Sequence, residues 1–192
     1  MRITGGTYRG RRIVCPPGVI RPAMDRMRES LFSILGPLTG TSFLDLFSGS
    51  AVVGLEAASR GAHPVHLVEM DPKKRNTIMK NIGFADPPLQ LFMMPVQRYL
   101  KRSGASYDIA YADPPFAMKG KASLLTLAAE HGIVRQGGLF IIHHPAEERW
   151  DDDIECFRCT DVRTYGRSVL RFFLNEAHME KPSPDTFLAD RK

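Results

Sequence analysis

The chain reads as an α/β protein, a doubly wound, mostly parallel sheet with helices on both faces, and three features carry that reading. The first is Thr41-Ser42-Phe43-Leu44-Asp45-Leu46-Phe47, a hydrophobic strand that runs into the turn Ser48-Gly49-Ser50-Ala51-Val52-Val53-Gly54 and then into helical Leu55 to Arg60, closed by Gly61. Strand, glycine turn, helix places backbone N–H groups and a helix N-terminus at the carboxyl end of a first strand. The second is Val65-His66-Leu67-Val68-Glu69, a strand ending in an acid roughly 20 residues beyond Asp45, where a carboxylate can take both hydroxyls of a ribose. The third is that apolar runs and helical patterns go on alternating as far as residue 144, the signature of parallel strands with crossover helices.

In chain order, residues 1 to 15 read as a basic β-hairpin broken by Gly5-Gly6 and Gly10. A helix is expected from about Pro22 to Leu35, with an apolar stripe of Met24, Met27, Leu31, Ile34 and Leu35, ended by Gly36-Pro37. After Glu69, Asp71-Pro72 opens a basic helix through Lys73, Lys74, Arg75 and Lys80, with Asp71 as its cap. Leu89 to Met94 is a third strand and Val96 to Lys101 a short helix, with the methionines as core filling. A fourth strand ends at Ala112, Lys121 to Glu130 is a helix, and Gly137 to His144 is a fifth strand. Glu155 to Arg163 and Ser168 to Asn175 complete the set as a hairpin through Tyr165-Gly166. Residues 1–20 are thus a basic arm, 21–180 the main domain and 181–192 a polar tail.

The glycine turn lacks the G-x-G-x-x-G spacing of dinucleotide sites. Asp45 near the strand end suits a ligand with a positive amino acid moiety better than a pyrophosphate.

The fourth strand ends in Asp113-Pro114-Pro115-Phe116. The residue before a proline is pushed to extended geometry, and each proline fixes its own φ and removes a donor. Asp113 and the bare carbonyls are therefore stiffly held acceptors, suited to an amine. An amine conjugated to an aromatic ring is a poor nucleophile, and two fixed acceptors can hold its hydrogens and aim its nitrogen. Phe116 supplies a flat surface for the ring. Of the paired His143-His144 at the end of the fifth strand, at most one can face this site, because neighbours on a strand point opposite ways.

Charge is unevenly placed: Arg2, Arg9, Arg11, Arg12, Arg21, Arg26 and Arg28 stand against only Asp25 and Glu29 in the first 30 residues, and the rest of the chain is balanced. An all-arginine cluster interleaved with Tyr8 and glycines suits nucleic acid phosphate. Three cysteines give no disulfide framework, and the lone Cys156-x-x-Cys159 pair lies in a strand pattern that separates the two thiols, so no metal is expected. No apolar run reaches the roughly 18 residues of a membrane span and the start lacks a signal-peptide stretch, which points to the cytoplasm.

These residues resemble the RsmD family of bacterial methyltransferases acting on 16S ribosomal RNA. The likeness lies in Met1-Arg2-Ile3, Tyr8-Arg9-Gly10-Arg11, Arg21-Pro22, Asp25-Arg26, Arg28-Glu29, Leu31-Phe32, Leu44-Asp45-Leu46-Phe47, Gly49-Ser50, Gly54-Leu55-Glu56, Ser59-Arg60-Gly61, Val68-Glu69, Asp113-Pro114-Pro115-Phe116 and Tyr165-Gly166. The resemblance implies a seven-stranded Rossmann-like class I fold and S-adenosylmethionine as donor. Its implied acceptor is the exocyclic N2 of a guanine in 16S rRNA of the small subunit or an assembly intermediate, acted on by a monomer. It further implies that Asp45, Phe47, Gly49, Ser50, Gly54 and Glu69 bind the cofactor, that Asp113, Pro114 and Phe116 form the catalytic turn, and that Arg2, Tyr8, Arg9, Arg11, Arg12, Arg21 and Arg26 contact RNA. Ala51 and Pro95 stand where the family has a glycine and an acid. Methylation of adenine or cytosine amines, or a non-catalytic RNA-binding role, are the alternatives.

Overall fold

The structure, a computed structural model, describes residues 1–15 and 22–176. Arg21 and the 181–192 tail lie outside the described residues. The elements are α1 (Pro22–Leu35), β1 (Phe43–Leu46), α2 (Val52–Ser59), β2 (Val65–Glu69), a 3-10 turn (Pro72–Lys74) leading into α3 (Arg75–Ile82), β3 (Gln90–Met93), α4 (Val96–Arg102), β4 (Tyr107–Ala112), α5 (Ser123–Glu130), β5 (Val134–Pro145), β6 (Asp153–Ile154), β7 (Phe157–Tyr165) and β8 (Ser168–Asn175).

The strands form one sheet of order β3-β2-β1-β4-β5-β8-β7-β6. β1 pairs in parallel with β2 and β4, β2 with β3, and β4 with β5. β8 pairs antiparallel with β5 and β7, and β6 with β7. The connections leave β1 toward one edge and β4 toward the other, so a crevice opens at the carboxyl ends of β1 and β4, where doubly wound sheets bind ligands. The sheet thus has eight strands where seven are expected from the sequence; the extra one is β6, two residues too short to show a period.

Strand alternation divides the core in two. Phe43, Leu67, Ile109, Tyr111 and Ile141 face α1, α2 and α3, whose Leu31, Phe32, Leu55, Ile78 and Ile82 pack against them. Leu44, Leu46, Ala110, Ala112 and Ile142 face α4 and α5, packing with Tyr99, Leu100, Leu124 and Leu125. On α1 the buried face holds Met27, Arg28, Leu31 and Phe32, and Ile34, expected in the stripe, is 43% exposed. Two rows of four-residue spacing, 27-31 and 28-32, make that face. β5 begins before Gly137-Gly138, because the glycines lie in a register shift against β4 rather than in a preceding turn. A Cβ on Gly138 would stand 2.7 Å from the Asp108 carbonyl oxygen, so this close approach requires glycine.

The N-terminal hairpin closes with a single antiparallel bridge, Arg2 to Arg12, rather than a regular ladder. Ile3 and Ile13 are 1% and 4% exposed in the same core as α1 and α2, which makes the arm part of the folded body. It is pinned by Glu56 of α2, fully buried, which accepts from the Thr4 N–H at 2.9 Å and from Arg28 Nε at 3.0 Å and pairs with Arg60. Among the described residues no helix is long and apolar enough to cross a membrane.

Candidate active site

The loop from β1 to α2 is built on alternate left-handed residues, Phe47, Gly49 and Ala51, with φ of 62°, 58° and 64°. Ala51 therefore does occupy a region that costs a non-glycine residue about 1–2 kcal/mol. Ser48 stitches the loop down: its N–H donates to the Val68 carbonyl at 3.0 Å and its hydroxyl to the Asp45 carbonyl at 2.8 Å. Asp45, 1% exposed, accepts the Gly54 N–H at 2.9 Å. Burial pushes its carboxyl up to about 8, against the pull of that N–H, with the charges of Asp113 and Glu69 adding to the rise. Gly54 stands behind Asp45 rather than on a cavity wall. A Cβ there would lie 2.3 Å from Leu67 Cδ2, so α2 reaches the sheet only over a glycine. A cavity of about 140 Å³ is lined by Asp45, Phe47, Gly49 and Ser50 together with Arg28 and Asp113.

Glu69 ends β2 and is 4% exposed. Its Oε1 accepts from the Met70 and Asp71 N–H groups at 2.9 Å each, and its Oε2 from the Gly49 N–H at 3.0 Å and Lys74 Nζ at 3.1 Å. Asp71 has the separate task expected of it, accepting the Lys73 N–H at 2.9 Å as cap of the 3-10 turn.

The acidic di-proline turn faces the crevice. A larger cavity, about 450 Å³, is walled by Glu69, Lys74, Asp113, Pro114, Phe116 and His143, among others, and shares Phe47 and Asp113 with the smaller one. Asp113 Oδ1 lies 2.7 Å from His143 Nδ1. Phe116 meets the His143 ring edge-on, with centroids 5.1 Å apart at 67°. His144 faces the other way, its Nδ1 2.8 Å from the Pro145 carbonyl oxygen and its ring beside Trp150, where burial lowers its pKa.

Comparison with known proteins decides the family. A family model described as "Conserved hypothetical protein 95" matches residues 1–174. The Escherichia coli K12 protein named ribosomal RNA small subunit methyltransferase D is 32% identical over 184 residues, covering 94% of this chain and 92% of that protein. The chain belongs to the RsmD family. The solved structure of yhhF from Escherichia coli superposes with a TM-score of 0.84 at 29% identity, covering 92% of this chain and 98% of that one. SMU.776, solved in complex with SAH, shares the fold at a TM-score of 0.60 and 20% identity, over 81% of this chain and 50% of that one.

On this RsmD-family scaffold the residues expected at the donor and acceptor sites, Gly54 apart, line two adjoining cavities. The arm residues are distributed differently. Arg9, Arg12 and Arg26 are exposed, with no ion-pair partner among the described residues. Arg2 donates to the Gly10 carbonyl at 3.0 Å, and Arg11 lies over the Phe84 ring at 3.5 Å. Tyr8 is committed to the fold: its hydroxyl donates to the Asp86 carbonyl at 2.8 Å and its ring meets Phe84 edge-on. Sequence reasoning missed two site residues. Arg28 counts in sequence as one more surface arginine, yet it is 5% exposed and spans Asp25, Glu56 and the Arg2 carbonyl. Lys74 reads as part of a basic helix, and its ion pair with Glu69 has only the i, i+5 spacing across a turn as a signal.

Proposed function

We propose that this RsmD-family protein transfers a methyl group from S-adenosylmethionine to the exocyclic N2 of a guanine in 16S rRNA, within the small ribosomal subunit or an assembly intermediate. The observation that carries this reading is the Asp113-Pro114 turn: Asp113 lines both cavities, and Pro114 and Phe116 follow it in the wall of the larger one.

The site fits the donor in size and charge. The two cavities together are of the size of a small-molecule cofactor site. Asp45, buried and protonated in the free protein, gives up its proton to become the carboxylate that pairs with the donor's amino acid ammonium, with Phe47, Gly49, Ser50 and the Gly54 N–H shaping its surroundings. Glu69 suits the ribose hydroxyls, which replace Lys74 as its partner. When bound, S-adenosylmethionine supplies an electrophilic methyl group on a sulfonium. Likeness to proteins named for rRNA methylation, and to a fold solved with SAH, supports this choice.

On the acceptor side, the Asp113 carboxylate and the Pro114 carbonyl accept the two amine hydrogens and aim the nitrogen lone pair into the crevice. The amine loses one proton on methylation, and the partly exposed Asp113, with 28% of its side chain accessible, passes that proton to water. Phe116 stacks on the base. Arg2, Arg9, Arg11, Arg12, Arg21 and Arg26 are the RNA-contacting residues of the 1–20 arm and the start of the 21–180 catalytic domain, with Tyr8, held by Asp86 and Phe84, bracing the arm beneath them, and a 181–192 tail follows. The protein acts as a cytoplasmic monomer.

Incubating labelled donor with small subunits lacking the modification, then mapping the rRNA by mass, tests the reading. Label on a guanine N2 supports it; label on an adenine or cytosine amine, or none at all, overturns it. Asp113→Ala abolishes transfer and leaves RNA binding intact, and surviving turnover in that variant refutes the acceptor assignment.

A further inference from the structure

We propose that His143 is a positioning residue for methyl transfer, holding the Asp113 carboxylate in one orientation through its Nδ1–H and taking no proton from the substrate. This rests on the reading of Asp113 as the group that orients the amine.

A carboxylate at a strand end turns freely, because the last torsion of an aspartate side chain is broad and roughly two-fold. Orientation by Asp113 therefore needs something to hold it. The sheet supplies that group. Parallel pairing of β4 with β5 sets Ala112 opposite Ile142, so the next residues on the two strands, Asp113 and His143, come side by side at the carboxyl edge. The contact is Nδ1 to Oδ1 at 2.7 Å, and the imidazole is 3% exposed and braced by the Phe116 ring.

Hydrogen-bond inventory fixes the form of the imidazole. An ionised carboxylate only accepts, so the proton of this contact belongs to Nδ1. Nε2 is buried and has no partner among the described residues. A second proton there would add a buried N–H donor with no acceptor, which is unfavourable. The neutral Nδ1–H tautomer is the form that the surroundings accept. Its one free lone pair is then on the buried Nε2, while the nitrogen that faces Asp113 carries the proton and has no lone pair to take one from the amine. What remains to His143 is to hold one carboxylate oxygen and leave the other for the amine.

The two-nitrogen geometry of histidine gives a sharp test. In His143→Asn the side-chain NH2 stands where Nδ1 stood, whereas in His143→Gln it stands near Nε2. Activity on small subunits, donor affinity by calorimetry and thermal unfolding are measured for both, together with His143→Ala. Nitrogen-15 NMR of the free wild-type protein reads the tautomer.

We expect the Ala and Gln variants to lose about tenfold to a hundredfold in kcat with unchanged donor affinity, and the Asn variant to stay within about threefold of wild type. NMR should show a protonated Nδ1 and a bare Nε2. An Asn variant that folds, binds donor and is as slow as the Ala variant makes His143 a proton carrier and overturns the proposal. So does an Ala variant with wild-type kcat, or a protonated Nε2 in the free protein. If wild type itself methylates no rRNA, the functional reading falls, while the NMR result still decides the contact.

Discussion

Replacing Asp45 with Asn should make the protein more stable at neutral pH while removing its donor binding. The magnitude follows from burial. Asp45 has an ordinary value of 3.8 and is raised to about 8 in the folded protein, first by desolvation. Between those values the folded state holds a proton that the unfolded chain has released. Stability therefore falls as pH rises, by about 1.4 kcal/mol per unit, and levels off above pH 8. Asn carries no charge, its oxygen can accept the Gly54 N–H, and its stability has no such slope. From pH 5 to pH 8 the advantage of Asn over Asp should grow by about 4 kcal/mol, equivalent to roughly 10 °C in Tm for a chain of this size. The other carboxylates are common to both proteins and cancel in the difference. Urea unfolding of wild type and variant at the two pH values measures it. If the two proteins differ by the same free energy at pH 5 and pH 8, Asp45 is ionised in the free protein and the burial reasoning is refuted.

Three further outcomes are expected. Gly54→Ala places a Cβ 2.3 Å from Leu67 Cδ2 and 3.3 Å from Asp45 Oδ2, so it should cost about 1–3 kcal/mol in urea unfolding and weaken donor binding in calorimetry. Glu56→Ala leaves the guanidinium of Arg28, 5% exposed, without its buried carboxylate. It should destabilise by about 3–5 kcal/mol and quicken hydrogen exchange at the Thr4 amide before the sheet opens. Arg9→Glu with Arg12→Glu should weaken RNA binding and flatten its salt dependence by about 0.7 to 0.9 for each phosphate no longer neutralised, with donor affinity unchanged in calorimetry.

The order of elements was legible in the sequence, because parallel strands buried on both faces are short apolar runs and the helices between them carry stripes. What escaped depended on contacts between distant segments. Gly137-Gly138 reads locally as a turn, and only pairing with β4 shows that β5 starts at Val134. Parity allowed one of His143 and His144 to face the site, but it took the β4–β5 register to give that place to His143 and bring it to Asp113. The arm was legible as basic and not as buried: Ile3 and Ile13 look like isolated apolar residues until Glu56, more than 40 positions on, draws Thr4 and Arg28 to itself. The residues proposed for the donor and acceptor sites could be singled out because their signals are local, an acid at a strand end and a stiff turn, and all but Gly54 line the two cavities. The state of charge of Asp45 was not legible, since it is set by burial.

That state of charge is the central electrostatic problem of the site. Asp45, Glu69 and Asp113 lie at the carboxyl ends of the neighbouring strands β1, β2 and β4, so the sheet gathers three acids around one crevice, and the two outer ones raise the pKa of the inner one. The fold meets this repulsion in three ways. Asp45, sealed from water, keeps its proton; Glu69 is held by three backbone N–H groups and Lys74; Asp113 is held at one oxygen by His143. Each device leaves an opening of a different kind. In the proposed donor complex a proton leaves Asp45 when the ammonium takes its place and Lys74, with 34% of its side chain exposed, yields its place at Glu69 to the ribose hydroxyls, whereas the imidazole at Asp113 yields nothing. The two acids nearest the proposed donor can therefore change partners on binding, whereas the acid at the proposed acceptor stays fixed, which is the division of labour that aiming a weak nucleophile requires.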